Sequence, residues 1–331
     1  WMPPYLQQNV IADVPAEMSA DFGTKFYDGA IAGYMKDGKY YGIPRETNVE
    51  YGLFYVPDKM KAAGIDGAPQ TFEDLIKAAK TNAKFSNGGL QYGGFEFYNY
   101  ADCTFLLLSW IKQLGGDYWA DDGKHINLQT EQAEQAWQRM IDLITVDKVT
   151  DVKHVTPQVP TEQYFFSGKA ASIMKGPWAA AIGDELKNNN WSYAMLPSIN
   201  GSEPTYVVEP GWGEVVSARS KNSDIAWAFL DFACNTENSK YWNMTTATLP
   251  SIKDIGEDEA FTSEGTNERI KEAFTALQYA VPIGPVQDSD FMKKTVMDTF
   301  LRCVTGKQDS KAALKFIQDE INKHIDQLLA Q

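Results

Sequence analysis

The stretch Phe166-Ser167-Gly168-Lys169-Ala170-Ala171-Ser172-Ile173-Met174-Lys175-Gly176-Pro177-Trp178 says more about the fold than any other part of the chain. Residues 171–175 read as a β-type run, Gly176 and Pro177 end it, and Trp178 is left beside the turn instead of on a periodic apolar stripe. Working outward, short β-type runs bounded by Gly, Pro and Asn recur at 50–56, 191–196, 206–208 and 214–218. Amphipathic helices separate them. The clearest covers about 71–85, where Thr71 and Asp74 approximate a capping box and Phe72, Leu75, Ile76 and Ala79 share one face. A second starts near Thr130, with Ala133, Trp137, Met140, Ile141 and Ile144 as its buried stripe. A third follows Asn222 and Ser223, with Ile225, Ala226, Phe229, Phe232 and Ala233 expected to face inward. The last runs from Ser310 to the C-terminus on Leu314, Ile317, Ile321, Ile325 and Leu328. Alternating strands and helices imply an α/β protein. The glycine-rich stretch 87–94 reads as a loop feeding a strand.

With 331 residues the chain is long enough for about two domains. No long linker separates them, so a shared hinge crossed more than once, and hence discontinuous domains, is expected. Acidic side chains outnumber basic ones 44 to 30, a formal charge of −14. Such a surface repels nucleic acid and anionic lipid. The longest apolar runs, such as 104–111, fall far short of the roughly 20 residues that span a bilayer. The opening residues lack the basic start and apolar stretch of a secretion signal, so either none exists or it precedes this numbering. Cys103, Cys234 and Cys303 are widely spaced and odd in number, which implies neither a disulfide framework nor a metal knuckle.

Most catalytic templates are missing. There is no P-loop, GxGxxG, HExxH or GxSxG, and no DxDxDG-type calcium loop. His125, His154 and His324 are too far apart in sequence to specify a metal site or a triad. Carboxylates beside Gly or Pro turns, or following Arg45, namely Glu46, Glu209 and Glu214, are candidates for an acid/base pair. Glycoside cleavage would need two of them roughly 5 to 10 Å apart. The alternative is a solvated or hydrogen-bonded loop carboxylate. The positive signal is aromatic. Phe, Trp and Tyr make up 13% of the chain, with nine Trp. Trp178 follows Gly176-Pro177, Trp212 lies between Gly211 and Gly213, and Tyr98 and Tyr100 leave the glycine-rich stretch. Aromatic faces on loops suit sugar rings, whose C–H faces are apolar and whose hydroxyls need polar partners; the alternative is that they plug the ends of a core. Trp110, Trp137 and Trp227 lie within helical patterns and read as core.

Three blocks in order resemble the extracytoplasmic solute-binding proteins of ABC importers, specifically the family-1 group similar to maltose-binding protein. The first is Gly38-Lys39-Tyr40-Tyr41-Gly42-Ile43-Pro44, then Gly52-Leu53-Phe54-Tyr55-Val56, Asp58-Lys59-Met60, Ala63-Gly64-Ile65 and Pro69-Gln70-Thr71-Phe72-Glu73-Asp74-Leu75, with Val56-Pro57 where Asn and Lys are more usual. The second is the 166–178 stretch. The third is Gly211-Trp212-Gly213 through Val215-Val216-Ser217 and Ser220-Lys221-Asn222 to Ala226-Trp227-Ala228-Phe229-Leu230, closed by Thr248-Leu249-Pro250.

The resemblance implies a periplasmic-binding-protein-like, two-lobed fold of the class II type. Its crossings are expected near 45–50, 209–214 and 279–288, with one lobe from 1–47 plus 212–282 and the other from 48–211 plus 283–331. Members usually begin with a strand-helix-strand segment before the region matching Trp1, so the first lobe is expected to be short. The implied function is capture of a carbohydrate, expected to be an oligosaccharide, and delivery to membrane permease subunits outside the cytoplasm, in the periplasm or at the cell surface on a lipid anchor. No bond is made or broken. A monomer without cofactor, metal or nucleic-acid partner is expected.

By the same resemblance Trp178 matches the family's sugar-stacking Trp. Trp212, Glu209 and Gly211 fall at the second crossing, and Arg45, Glu46 and Asn48 at the first. Tyr98, Tyr100 and Asp102 occupy a region of further contacts, and Phe291 opens the final helical region as another stacking face. Gly168, Lys169 and Gly176 match for turn geometry. The competing readings are a glycan hydrolase using Glu46, Glu209 and Glu214, and a receptor for a polyamine, phosphodiester, sugar phosphate or iron.

Overall fold

Caps start the helices where the sequence places them. In the computed structural model, which describes residues 2–152, 160–209, 211–263 and 265–330, the Thr71 hydroxyl accepts the Asp74 N–H at 3.1 Å, Thr130 accepts the Ala133 N–H at 3.2 Å, and Asp309 accepts the N–H groups of Lys311 and Ala312 at 3.0 and 3.1 Å. Each such bond satisfies a donor the helix leaves orphaned and stabilises by about 1 kcal/mol. The elements that position the site are, in chain order, β1 (Ile43–Pro44), β2 (Glu46–Thr47), β3 (Gly52–Tyr55), α1 (Phe72–Asn82), α2 (Tyr100–Gln113), α3 (Glu131–Thr145), β4 (Ser172–Met174), β5 (Ser192–Met195), β6 (Tyr206–Val208), β7 (Gly213–Glu214), α4 (Ser223–Ala233), α5 (Thr236–Thr246), β8 (Leu249–Pro250), β9 (Ala280–Pro282), α6 (Ser289–Val304) and α7 (Ser310–Leu329).

Two hydrophobic cores organise these elements. In the larger, β3 lies between β4 and β5, antiparallel to both, with Phe54 opposite Ile173 on one side and Tyr193 on the other. All four β3 residues are buried, as its unbroken apolar run requires. Helices α2, α3, α6 and α7 pack together beside this sheet, and the buried Trp110 donates its indole N–H to the Tyr51 hydroxyl at 2.6 Å. β6 and β9 pair in parallel. The smaller core is built from two separated stretches, with Val14, Phe22, Phe26, Ile31, Tyr34 and Ile43 from the first and Val216, Trp227, Leu230, Cys234, Ile252, Ile255 and Phe261 from the second. Discontinuity is therefore built into the packing. Ile270, Ala273 and Ala276 join the larger core, and Phe274 packs against both. Cys103, Cys234 and Cys303 are free and buried.

Several expectations need correction. Helix α4 turns Trp227 and Leu230 to the core, whereas Ile225, Phe229 and Phe232, expected inside, are 65%, 63% and 65% exposed. The helix is apolar on more than one face, so periodicity cannot choose which face is covered. The stretch 87–94 holds the turn of a hairpin, strands Lys84–Ser86 and Gly89–Tyr92, in which Asn87 and Gly88 both take positive φ, 51° and 77°. Asn-Gly between two strands is the pairing such a turn favours. Beyond it Phe95, Phe97 and Tyr98 are not loop aromatics but core residues.

Candidate ligand-binding site

The site begins where the chain leaves the smaller core. β1 pairs antiparallel with β7, and β2 with β8. Between these ladders the Trp212 carbonyl accepts the N–H groups of both Arg45 and Glu46, at 2.9 and 3.3 Å. The segments at 43–47 and 211–214 thus run in contact. Gly211 lies so close that a Cβ there would sit 2.6 Å from the Glu46 carbonyl oxygen. Arg45 reaches Glu214 at 3.3 Å and lays its guanidinium over the Trp242 ring, 4.1 Å from the centroid. Glu46, 6% exposed, accepts the Trp242 indole N–H at 3.1 Å. Burial pushes its carboxyl above the ordinary range, against the pull of that N–H.

Four residues further on, Glu50 organises the other side. The Lys175 N–H donates to the Gly52 carbonyl at 3.0 Å, which carries the chain out of β4 beside β3 and delivers Gly176 and Trp178 to this carboxylate. Glu50 accepts the Asn48 side-chain amide at 2.5 Å, the Gly176 N–H at 3.1 Å, and the Trp178 indole N–H at 3.2 and 3.3 Å from its two oxygens. Burial raises its pKa, and the charge of Lys175 opposes that. With its N–H engaged and the Lys175 ammonium 5.7 Å from its ring centroid, Trp178 packs against the larger core and stays half-buried, so part of its ring is exposed.

Beneath Trp178 lies a buried ionic cluster. Lys175, 3% exposed, sits 2.7 Å from Asp102 and 3.6 Å from Glu162, with its ammonium 5.7 Å from the Trp178 ring centroid. Burial works to lower the Lys175 pKa, but the charges of Asp102, Glu162 and Glu50 outweigh it and the net shift is upward. Burial lifts Asp102 to about 7.

The expected residues fall into separate neighbourhoods. Arg45, Glu46, Gly211 and Trp212 meet where these two segments pair, and Asn48 and Trp178 meet through Glu50. Glu209 is held by the Lys293 ammonium at 2.5 Å and by the Ser289 hydroxyl, both on α6. Tyr100, 42% exposed, donates its hydroxyl toward Asp290, 3.0 Å from the carbonyl and 3.1 Å from the carboxylate. Trp212 is 60% exposed. Tyr98 and Asp102 are corrected: both are 1% exposed. Tyr98 donates to the Asp151 carbonyl at 2.5 Å, so it has no face to offer a ligand, and Asp102 serves Lys175. Phe291 is half-buried and stacks on His324, with centroids 4.0 Å apart and planes at 20°. Its ring is thus partnered already. His154 lies outside the described residues, and His125 binds Asp122 and Asp326 on the surface. Glu50, Lys175, Trp242 and Lys293 belong to this region and were not expected. Two signals were available: Glu50 stands between apolar Val49 and Tyr51, and Lys175 ends the otherwise apolar run before Gly-Pro. Among the described residues, no group of three or more His, Cys, Asp or Glu could hold a metal ion.

A family profile described as bacterial extracellular solute-binding protein matches residues 1–240. The chain belongs to that family. Its members bind solutes and are not enzymes, so the hydrolase alternative falls. A putative binding protein of Brucella abortus is 26% identical over 331 residues, covering 95% of this chain and 75% of the relative. The galactooligosaccharide-binding protein of Bacillus subtilis is 27% identical over 310 residues, covering 89% of this chain and 68% of its own. Among solved structures, the GacH receptor of Streptomyces glaucescens superposes with TM-score 0.82 at 20% identity, covering 98% of this chain and 81% of the receptor. Maltose-bound MalE3 of T. maritima superposes with TM-score 0.78 at 20% identity, covering 97% and 81%. These likenesses establish the two-lobed fold of the solute-binding family member.

Proposed function

We propose that this protein is the carbohydrate-capturing component of an ABC importer, taking an oligosaccharide into the cleft between its lobes and presenting it to membrane permease subunits. The observation that carries this reading is half-buried Trp178, whose indole N–H is held by Glu50 so that what it can offer a ligand is the exposed part of its ring, with the Asn48 side chain held on the same carboxylate. That pairing matches a pyranose, apolar across its C–H face and polar at its rim. Relatives whose names record galactooligosaccharide, maltodextrin and arabinooligosaccharide binding support the same class.

The ligand touches both lobes and therefore binds the closed arrangement more tightly than the open one, which shifts the population toward closure. The crossings at 45–50 and 209–214 form the hinge, with residues 1–47 and 212–282 on one side and 48–211 and 283–331 on the other, and the third crossing lies at 279–288. Trp212 and Gly211 sit at the bend. The chain acts as a monomer on the outer side of the cytoplasmic membrane, free or held by a lipid anchor.

A thermal-shift screen against maltotriose, a galactotriose and an arabinotriose, with spermidine and glucose 6-phosphate as controls, tests the reading. A sugar at a hundred times its Kd adds about 2.7 kcal/mol to the folded state and raises Tm. The sugar must be recovered uncleaved, and Trp178→Ala must weaken binding by about 1–3 kcal/mol in calorimetry. A shift with spermidine alone, or with no sugar, refutes the carbohydrate assignment.

A further inference from the structure

Trp178 has a counterpart across the hinge. Its N–H is taken by Glu50 and the Lys175 ammonium stands over its ring at 5.7 Å. Trp242 repeats this arrangement: Glu46 takes its N–H at 3.1 Å and the Arg45 guanidinium covers one ring face at 4.1 Å. Each indole has a carboxylate on its edge and a cation over its ring. The two carboxylates are four residues apart on one crossing, a separation of at most about 14 Å of backbone. The tryptophans themselves come from different parts of the fold. Trp178 packs against the larger core, while Trp242 rides on α5, which packs against α4 and β8. α5 also touches the short helix Ala180–Glu185, which begins two residues after Trp178, so the two indoles belong to neighbouring elements. Trp242 is 37% exposed although one face and its N–H are occupied.

We propose that Trp242 is a second stacking platform of the cleft, facing the same ligand as Trp178 from the other lobe, so that the cleft selects ring-form sugars of two or more residues. Glu46 takes the edge of the indole and Arg45 covers one face, so the platform is the other face of the ring. This rests on the carbohydrate reading of the same cleft. Because both N–H groups are already engaged, neither tryptophan contributes hydrogen-bond specificity; that falls to Asn48, Glu209 and the unengaged lone pairs of the carboxylates. A linear polyol presents no flat apolar face and gains little from two such platforms.

The test is calorimetry with maltotriose, a galactotriose, an arabinotriose and the linear polyol sorbitol, which should bind far more weakly than the preferred sugar, on the wild type, Trp178→Ala, Trp242→Ala and Trp242→Phe. Trp242→Ala should weaken the preferred sugar by about tenfold or more, and Trp242→Phe, which keeps a ring but no N–H, should restore affinity to within about threefold. Wild-type affinity in Trp242→Ala alongside a weakened Trp178→Ala overturns the second platform and leaves the carbohydrate reading standing. Equal losses in Trp242→Ala and Trp242→Phe also overturn it, because the N–H bond to Glu46 would then be the part that matters. If Trp242→Ala does not fold, as judged by circular dichroism, the Phe variant decides alone. A wild type that binds none of the sugars refutes both readings together.

Discussion

Replacing Lys175 by Met tests whether the ionic cluster under Trp178 holds the site in place. The ammonium is 3% exposed and stands 2.7 Å from Asp102 and 3.6 Å from Glu162, themselves 1% and 7% exposed. Met keeps the length of the side chain and removes the charge. Two buried carboxyls are then left without their cation, a loss that costs about 3–5 kcal/mol where one partner of a buried pair is removed. At about 2–4 °C per kcal/mol for a unit of this size, Tm should fall by on the order of 10 °C. The deficit also depends on pH. Burial already lifts Asp102 to about 7, and loss of the cation lifts it further. A carboxyl with a raised folded pKa stabilises below its unfolded value and loses that contribution as pH rises through the folded value. The variant should therefore lie closer to wild type at pH 5 than at pH 8. Adding Asp102→Leu should recover part of the loss, since a buried pair replaced by apolar groups is often neutral. Differential scanning fluorimetry across pH reads all three effects. A Tm within about 2 °C of wild type at pH 8 would refute the reasoning.

Two further predictions concern the same neighbourhood. Gly176→Ala places a Cβ 2.7 Å from both the Asn48 amide oxygen and the Trp178 indole nitrogen; it should displace Trp178 from Glu50, cost about 1–3 kcal/mol of stability, and weaken sugar binding in calorimetry by more than that Tm loss explains. Glu96 is fully buried, accepts the Thr150 hydroxyl at 2.7 Å, and is lifted by burial to about 8. Wild-type stability should fall as pH rises through that value, and Glu96→Gln should flatten the fall, a difference lost if both proteins melt in parallel from about pH 5 to about pH 9.

Sequence and structure part company for identifiable reasons. Thr71 and Thr130 announce their helices because a cap acts over three residues; Trp137 lies inside because its periodic stripe has one possible inner face, and Trp110 because its helix is buried all round from Asp102 to Ile111. Trp178 was legible because Gly-Pro stops β4 and leaves the next residue off any stripe. Tyr98 was not, since the group that buries its hydroxyl is the Asp151 carbonyl, 53 residues away. The same separation hid the Lys175 cluster: a lysine in an apolar run reads as a strand end until Asp102, 73 residues earlier, is seen against it. Trp242 gave no signal, because its meaning depends on Glu46 across 196 residues. Helix α4 shows the opposite failure, where local pattern was strong and pointed the wrong way; Ile225, Phe229 and Phe232 satisfy helical spacing as well as Trp227 and Leu230 do.

The three cysteines have a practical use. Cys103, Cys234 and Cys303 are 0%, 3% and 8% exposed, and burial raises all three thiol pKa values, so little thiolate meets a reagent at neutral pH. A maleimide dye will therefore couple to a cysteine newly placed on the surface while the native ones stay silent. With one such handle on each lobe, the breathing of the cleft becomes a distance that can be followed in single molecules, without first stripping the protein of its own sulfur.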